Sequence, residues 1–375
     1  MVIPNQKSLF SIPDDITYLN CANMSPLLKS VNEAGVSAIN QRNAPWTIDI
    51  AQWFEPVEEL KALFAKIINS DKENIALIPS VSYGIAIAKN NIQLNPSQNI
   101  IVLENQYPSN FYAWHELSQE TGATLIIVKK ETGQSWAEAI LANIDWQTGI
   151  VAIPNCHWTD GSFIDLEQVS DKSREFGAKL VIDASQSIGA YPLDIKRIKP
   201  DFLVTVGYKW LLGPYGLGYL YADEKYFAAG KPIEYTWLNK MNSEDFTKLV
   251  DYTDAYKPGA RRFDAGESPS FIHVSMAKAA LTQILEWGIG NIQETLSALT
   301  NHITIKAKEN GFETPDTNSR VGHMIGIKFS KNKAIEIDKK LTDNKVYISF
   351  RGTSMRIAPH LYNDSKDLNR LFQLL

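Results

Sequence analysis

Cysteine is almost absent from this chain of 375 residues: it occurs only at Cys21 and Cys156, too rarely for a disulfide-stapled fold. An excess of positive charge is missing too. The 37 Lys and Arg residues are outnumbered by 42 Asp and Glu, and the resulting formal charge of −5 argues against a surface built to neutralise a nucleic-acid backbone. The short basic pairs Lys129-Lys130 and Arg261-Arg262 read as solvated faces. No apolar run approaches the ~18 residues that a membrane-spanning helix requires. Met1–Phe10 carries no apolar stretch behind a basic start, so no signal peptide is expected and the cytoplasm is the expected location. No internal repeat or low-complexity segment occurs, and no metal site is expected. A nicotinamide-binding G-x-G-x-x-G turn is also lacking, because Gly213-Pro214-Tyr215-Gly216-Leu217-Gly218 has the wrong spacing and precedes a strand instead of following one.

The composition that remains, 44% hydrophobic and 21% charged, is that of an ordinary globular protein with room for two domains. Short, β-branched apolar runs recur at Ile75–Ile78, Ile100–Leu103, Thr124–Val128, Ile150–Ile153, Leu180–Ile182, Phe202–Val206 and Leu217–Tyr221. Runs of this kind suit strands buried on both faces. Helix-length segments such as Asn110–Thr121 and Leu166–Phe176 separate several of them, which predicts an α/β fold around a mostly parallel seven-stranded sheet. Beyond Tyr221 the pattern changes. A polar, turn-rich stretch at 251–270 leads into helical patterns at Val274–Trp287 and Asn291–Asn310. A strand at Met324–Phe329, a helix at Lys333–Thr342 and a strand at Val346–Arg351 follow. These elements predict a small α+β C-terminal domain over 256–375, joined by the N-terminal segment 1–14, beside a large domain over 15–255.

In open α/β sheets ligands bind beyond the carboxyl ends of the strands, and five predicted strand ends here carry reactive groups. They are Ser80-Val81-Ser82, Gln106-Tyr107, His157-Trp158, Asp183-Ala184-Ser185-Gln186 and Tyr208-Lys209. Ser80, Val81 and Ser82 open a helix whose free N–H groups suit a phosphate, although Ser80 or Ser82 could equally be a plain N-cap. Asp183 ends a buried strand, where its charge needs a partner. It could cap a helix or hold a cationic ligand atom. Lys209 sits among Tyr208, Trp210, Leu211 and Leu212. A buried lysine loses its proton readily and becomes a Schiff-base nucleophile, whereas a surface lysine would only snorkel. An acid for a pyridine nitrogen, an amine for an aldehyde and a phosphate-binding helix start together are the parts that pyridoxal 5'-phosphate requires.

The sequences Asp183-Ala184-Ser185-Gln186 and Gly207-Tyr208-Lys209-Trp210-Leu211-Leu212-Gly213-Pro214, with the early Tyr18-Leu19-Asn20-Cys21-Ala22-Asn23 and the late Arg356-Ile357-Ala358-Pro359, resemble the class V aminotransferase family of fold-type I pyridoxal-phosphate enzymes. That family includes cysteine desulfurases, selenocysteine lyases, kynureninases and isopenicillin N epimerase-like proteins. The resemblance implies that Lys209 holds the cofactor as a Schiff base and that Asp183 pairs with its ring nitrogen. It further implies that Gln186 bonds the phenolic oxygen, Tyr107 stacks on the ring and Tyr208 contacts the phosphate. Arg356 would clamp the substrate α-carboxylate, with Asn23 and Trp158 nearby. A homodimer with active sites at the interface is implied as well, the Arg262–Ser268 loop bringing Ser268 to a neighbour's phosphate. Two departures stand out: Val81 and Val206 replace hydroxyl residues that many relatives direct at the phosphate. His157 could act as an acid–base group or as a structural imidazole. The implied activity is that of an aminotransferase or a C–S/C–C lyase acting on an α-amino acid. An amino-acid epimerase is the alternative, and a non-catalytic cofactor-binding protein a weaker one. Because no cysteine follows His157, sulfur transfer through a C-terminal thiolate is not expected.

Overall fold

The computed structural model describes residues 1–268 and 270–375, and Pro269 of the polar 251–270 segment lies outside them. The chain enters through β1 (Thr17–Tyr18), α1 (Lys29–Gln41) and α2 (Ala51–Ile67). Strands and helices then alternate through β2 (Ile75–Ile78), α3 (Val81–Asn91), β3 (Asn99–Leu103), α4 (Tyr112–Thr121), β4 (Thr124–Val128) and α5 (Trp136–Leu141). The alternation continues with β5 (Thr148–Pro154), α6 (Leu166–Glu175), β6 (Lys179–Asp183), α7 (Ile195–Ile198), β7 (Phe202–Val206) and β8 (Gly218–Ala222).

Strands β2 to β8 form one sheet in the order β2-β8-β7-β6-β5-β3-β4. Only β8 runs antiparallel to its neighbours; the remaining pairings are parallel. The strands are apolar on both sides because the sheet divides two cores. Ile75 and Leu77 face one core while Ala76 and Ile78 face the other, and Ile101 and Leu103 alternate with Ile100 and Val102 in the same way. The run Thr124–Val128 differs from the rest: β2 and β4 are the two edge strands, and whereas β2 is buried throughout, β4 leaves Ile127 exposed. Since β2 and β7 both oppose β8, they are parallel to each other. The carboxyl ends of β2, β3, β5, β6 and β7 therefore share one rim of the sheet.

The second part of the chain runs through α8 (Phe271–Trp287), α9 (Ile289–Glu309), β9 (Ile325–Lys328), α10 (Lys331–Asp343), β10 (Val346–Tyr347), β11 (Ser349–Arg351), β12 (Ser354–Ile357) and α11 (Ser365–Leu374). The strand expected over Val346–Arg351 is two strands in different sheets. β10 pairs in parallel with β1, whereas β11 forms a hairpin with β12, which in turn pairs with β9. Their core gathers Ile303, Ile325, Ile327, Leu341, Ile357 and Leu368, together with Leu19 from the N-terminal arm. Helix α8 belongs to the larger core, where Val274, Ala277, Leu281 and Ile284 join Val31, Leu60 and Phe64. We propose that the two-part division drawn from the sequence holds, with β1 and α8 as the elements that tie the parts together. Among the described residues no helix is long and apolar enough to cross a membrane.

The turn after β6 is fixed against the turn after β7. Gly189 has φ +103°, and a Cβ built there would run into the carbonyl group of Trp210, the residue after Lys209. Gly189→Ala therefore combines a left-handed backbone with a backbone collision, and the expected loss of stability is about 2–4 kcal/mol. Denaturant unfolding measures it, and a variant as stable as the parent would show that this contact does not hold the two turns together.

Candidate active site

Each strand end at the rim delivers its residues by a specific local device. After β3, Gln106 donates to the Ala152 carbonyl of neighbouring β5 at 3.0 Å, which anchors the turn carrying Tyr107. After β5, His157 Nε2 faces the Glu104 carbonyl at 3.2 Å and must donate to it, so Nδ1 accepts the Thr159 hydroxyl at 2.7 Å. The ring also stacks on Trp136 at 5.3 Å, and burial lowers its pKa. His157 is thereby committed to joining two loops. Trp158, the next residue, donates from Nε1 to the Asn105 carbonyl at 2.7 Å and stands edge-on to Tyr107 with ring centroids 5.4 Å apart.

Asp183 closes β6 with its carboxylate buried. Desolvation raises its pKa, opposed by the hydrogen bond from Ser185 and by the charge of Lys209. One oxygen accepts the Ser185 N–H at 3.0 Å. Gln186 is held from both ends, its Oε1 accepting Trp210 Nε1 and its Nε2 donating to the Ala22 carbonyl, each at 2.9 Å. Lys209 follows β7 and is only 7% exposed. Among the described residues it has no salt bridge, and its Nζ lies 5.4 Å from the centre of the Tyr107 ring and 5.8 Å from that of Tyr208. Desolvation pushes its pKa down to about 8, although the charge of Asp183 pulls the other way.

Lys209, Asp183, Gln186, Tyr107 and Trp158 line one pocket. Gln106, Asn110, Pro154, Ser185 and Cys156 complete its wall. Arg356, on β12, reaches the back of this wall. It is 1% exposed, donates to Ser349 Oγ at 3.1 Å and to the Trp158 carbonyl at 2.7 Å, and leaves Nη2 buried with no partner. Burial lowers its pKa to about 9. Ser80 caps α3 by accepting the Tyr83 N–H at 3.2 Å, and its hydroxyl also meets that of Ser82 at 2.9 Å. The first N–H groups of the helix, at Val81 and Ser82, have no acceptor within the helix. This helix start lies on the same rim, outside the residues that line the cavity. Asn23 is exposed and accepts from Arg351 at 3.1 Å. Ser268 lies elsewhere, lining a separate cavity with Trp53, Lys61 and Asp264.

The fold is an open, mostly parallel α/β sheet with a lysine–aspartate cavity at its carboxyl rim. The chain belongs to the aminotransferase class-V family, whose model matches residues 32–370. It is 26% identical over 320 residues to an uncharacterized aminotransferase of Bacillus subtilis (strain 168), covering 84% of this chain and 83% of the relative. It is 23% identical to a kynureninase of Geobacillus thermodenitrificans, covering 88% and 79% of the two chains. Solved structures with the same fold include a cysteine desulfurase from Thermococcus onnurineus NA1 in its apo form, with TM-score 0.86, 19% identity and coverage of 100% and 98%. Another is a mutant of C-DES with glycine covalently linked to its PLP cofactor, with TM-score 0.88, 18% identity and 98% coverage of each chain.

The Lys209 amine titrates near 8 in the folded chain against an ordinary 10.5, so between those values the folded state binds fewer protons than the unfolded one. Stability should rise with pH across that window, and below pH 8 the full cost of the buried cation is present. In protein freed of small molecules, Lys209→Met should raise the unfolding midpoint at pH 7, with the gain fading as pH climbs from about 8 towards 10.5. Melting curves across this range measure it. A pH-independent difference would contradict a buried ammonium.

Proposed function

We propose that the protein is a pyridoxal-phosphate-dependent enzyme acting on an α-amino acid by transamination or C–S/C–C bond cleavage, with Lys209 as the covalent anchor. The observation that carries this reading is the Lys209 amine, buried in the same cavity as Asp183 and without an ion-pair partner among the described residues. The residues present suit the cofactor. Asp183 is a buried carboxylate placed to hold a protonated ring nitrogen, Tyr107 offers a flat wall, and Gln186 retains one N–H for a ring oxygen. Arg356 Nη2, buried and without a partner among the described residues, would be satisfied by a ligand. The free N–H groups at Val81 and Ser82, with Ser82 and Tyr208, would take the phosphate in place of the hydroxyls lost to Val81 and Val206.

When bound, pyridoxal phosphate supplies a carbonyl carbon for condensation with an amine and an electron-withdrawing ring that stabilises negative charge at Cα. Lys209 Nζ, neutral in useful amount near pH 8, would be the nucleophile for that carbonyl and the base for the Cα proton. Asp183 would hold the ring nitrogen protonated, and Arg356 Nη2 would orient the α-carboxylate. Tyr107 and Trp158 limit access of water. Epimerisation would need a second acid–base group on the opposite face of Cα. His157 does not offer one, because both of its ring nitrogens are engaged. A thiolate relay is not part of the proposal: Gly352-Thr353 forms the β11–β12 turn, and Cys21 and Cys156 are buried with raised pKa values.

The finer proposal is a homodimer. Trp46, Tyr235, Val250 and Tyr252 are strongly exposed, and the 235–252 segment packs on α2 through Trp53, Trp237 and Phe246. A second copy on this face would stand next to the Ser268 cavity, which Trp53 also lines. Two unpaired thiols suit the reducing cytoplasm. Borohydride treatment of the purified protein should fix the cofactor on the peptide containing Lys209. Attachment to another lysine, or to none, would overturn the proposed function.

A further inference from the structure

We propose that Arg351 forms a second anion subsite beside Arg356, and that the substrate is an amino acid whose side chain ends in a carboxylate or a similar oxyanion. The inference deepens the proposed function, since it rests on Arg356 taking the α-carboxylate.

The hairpin fixes the geometry. Ser349 pairs with Arg356 and Arg351 with Ser354 across antiparallel strands. Residues opposite one another share a face, as do residues two apart along a strand. Arg351 and Arg356 therefore project from the same face, while Met355, on the other face, is buried in the core of the smaller sheet. The two-residue turn Gly352-Thr353, with Gly352 at φ +61°, gives Arg351 a defined place at the hairpin tip.

Arg351 is poised towards the cavity and held only by neutral groups. Its Nη1 donates to the Phe350 carbonyl at 2.8 Å and its Nη2 to Asn23 Oδ1 at 3.1 Å. Its guanidinium carbon lies 5.7 Å from the centre of the Trp158 ring, and Trp158 is the cavity wall that also meets Tyr107. Among the described residues neither Arg351 nor Arg356 is within ion-pair distance of a carboxylate. Among the described residues Asp183 is the one carboxylate lining the cavity, where its charge already acts on Lys209. Burial lowers the pKa of both arginines, and the charge of Arg351 lowers that of Arg356 further. A single α-carboxylate would compensate one guanidinium and leave the other without a counter-charge. A substrate with a second negative group compensates both, exchanging the neutral partners of Arg351 for a charge-assisted fork.

The test uses the purified protein with whatever cofactor it carries. Calorimetry compares glutarate and succinate, which have no amine to react, with butyrate. The dicarboxylates should bind about tenfold tighter or better, and Arg351→Gln should erase that difference. In parallel, kcat/KM is measured for glutamate and aspartate against glutamine and asparagine. The acidic-to-amide ratio should fall about tenfold or more in Arg351→Gln and less in Arg351→Lys. An unchanged ratio in both variants, or equal affinity of the parent for dicarboxylate and monocarboxylate, would overturn the subsite. If borohydride fixes nothing at Lys209, the enzymatic proposal falls, whereas the calorimetry still decides whether Arg351 binds an anion.

Discussion

The site depends on the burial of a lysine amine that has no counter-ion in contact among the described residues. Removing an ammonium from water is costly unless something compensates it. At Lys209 the surrounding structure offers two aromatic rings and the longer-range charge of Asp183. The cost appears as a depressed pKa, and a depressed pKa is what a nucleophile needs near neutral pH. Arg356 repeats the arrangement from another element, with a buried guanidinium and one unsatisfied nitrogen. Positive charge thus stands both in the cavity, on Lys209, and behind its Trp158 wall, on Arg356.

The sheet holds this charge in place. Parallel strands bring five chain reversals to one rim, and four of them are tied in pairs, those after β3 and β5 and those after β6 and β7. Gln106 bonds to β5, His157 bonds to the loop after β3, and Gly189 lies against the carbonyl of Trp210. Gln186 links the turn after β6 to the N-terminal arm at Ala22 and to Trp210. His323 adds a further tie, with Nε2 facing the Gln186 carbonyl at 2.6 Å. The amine is therefore set by backbone geometry and not by a flexible loop, as a site must be if small displacements are to cost catalysis.

Much of this was legible in the sequence because buried parallel strands announce themselves as β-branched runs and their carboxyl ends are countable. Lys209, Asp183 and Tyr107 fall directly after such runs, and the cavity gathers them with Gln186 and Trp158. The second half was harder to read. Val346–Arg351 looked like one strand, because nothing in its apolar pattern marks Ile348 as the point where the chain leaves one sheet for another. The short strand Ser354–Ile357 was overlooked, and with it the same-face relation of Arg351 to Arg356, since two-residue hairpins of polar residues carry little periodicity. Asn23 and Ser268 were named through family resemblance. In this chain Asn23 supports Arg351, and Ser268 lines a different cavity, positions that depend on tertiary packing alone.

The central claim is that Asp183 and Lys209 form one chemical unit: the carboxylate sustains the electron sink, and the amine carries the proton at Cα. The most direct measurement is exchange of the substrate Cα proton for solvent deuterium, followed by NMR, in the parent protein and in Asp183→Asn at matched cofactor content. The account predicts exchange in the parent and a loss of about a hundredfold or more in the variant, with the fold retained. Exchange at the parental rate in Asp183→Asn would contradict it.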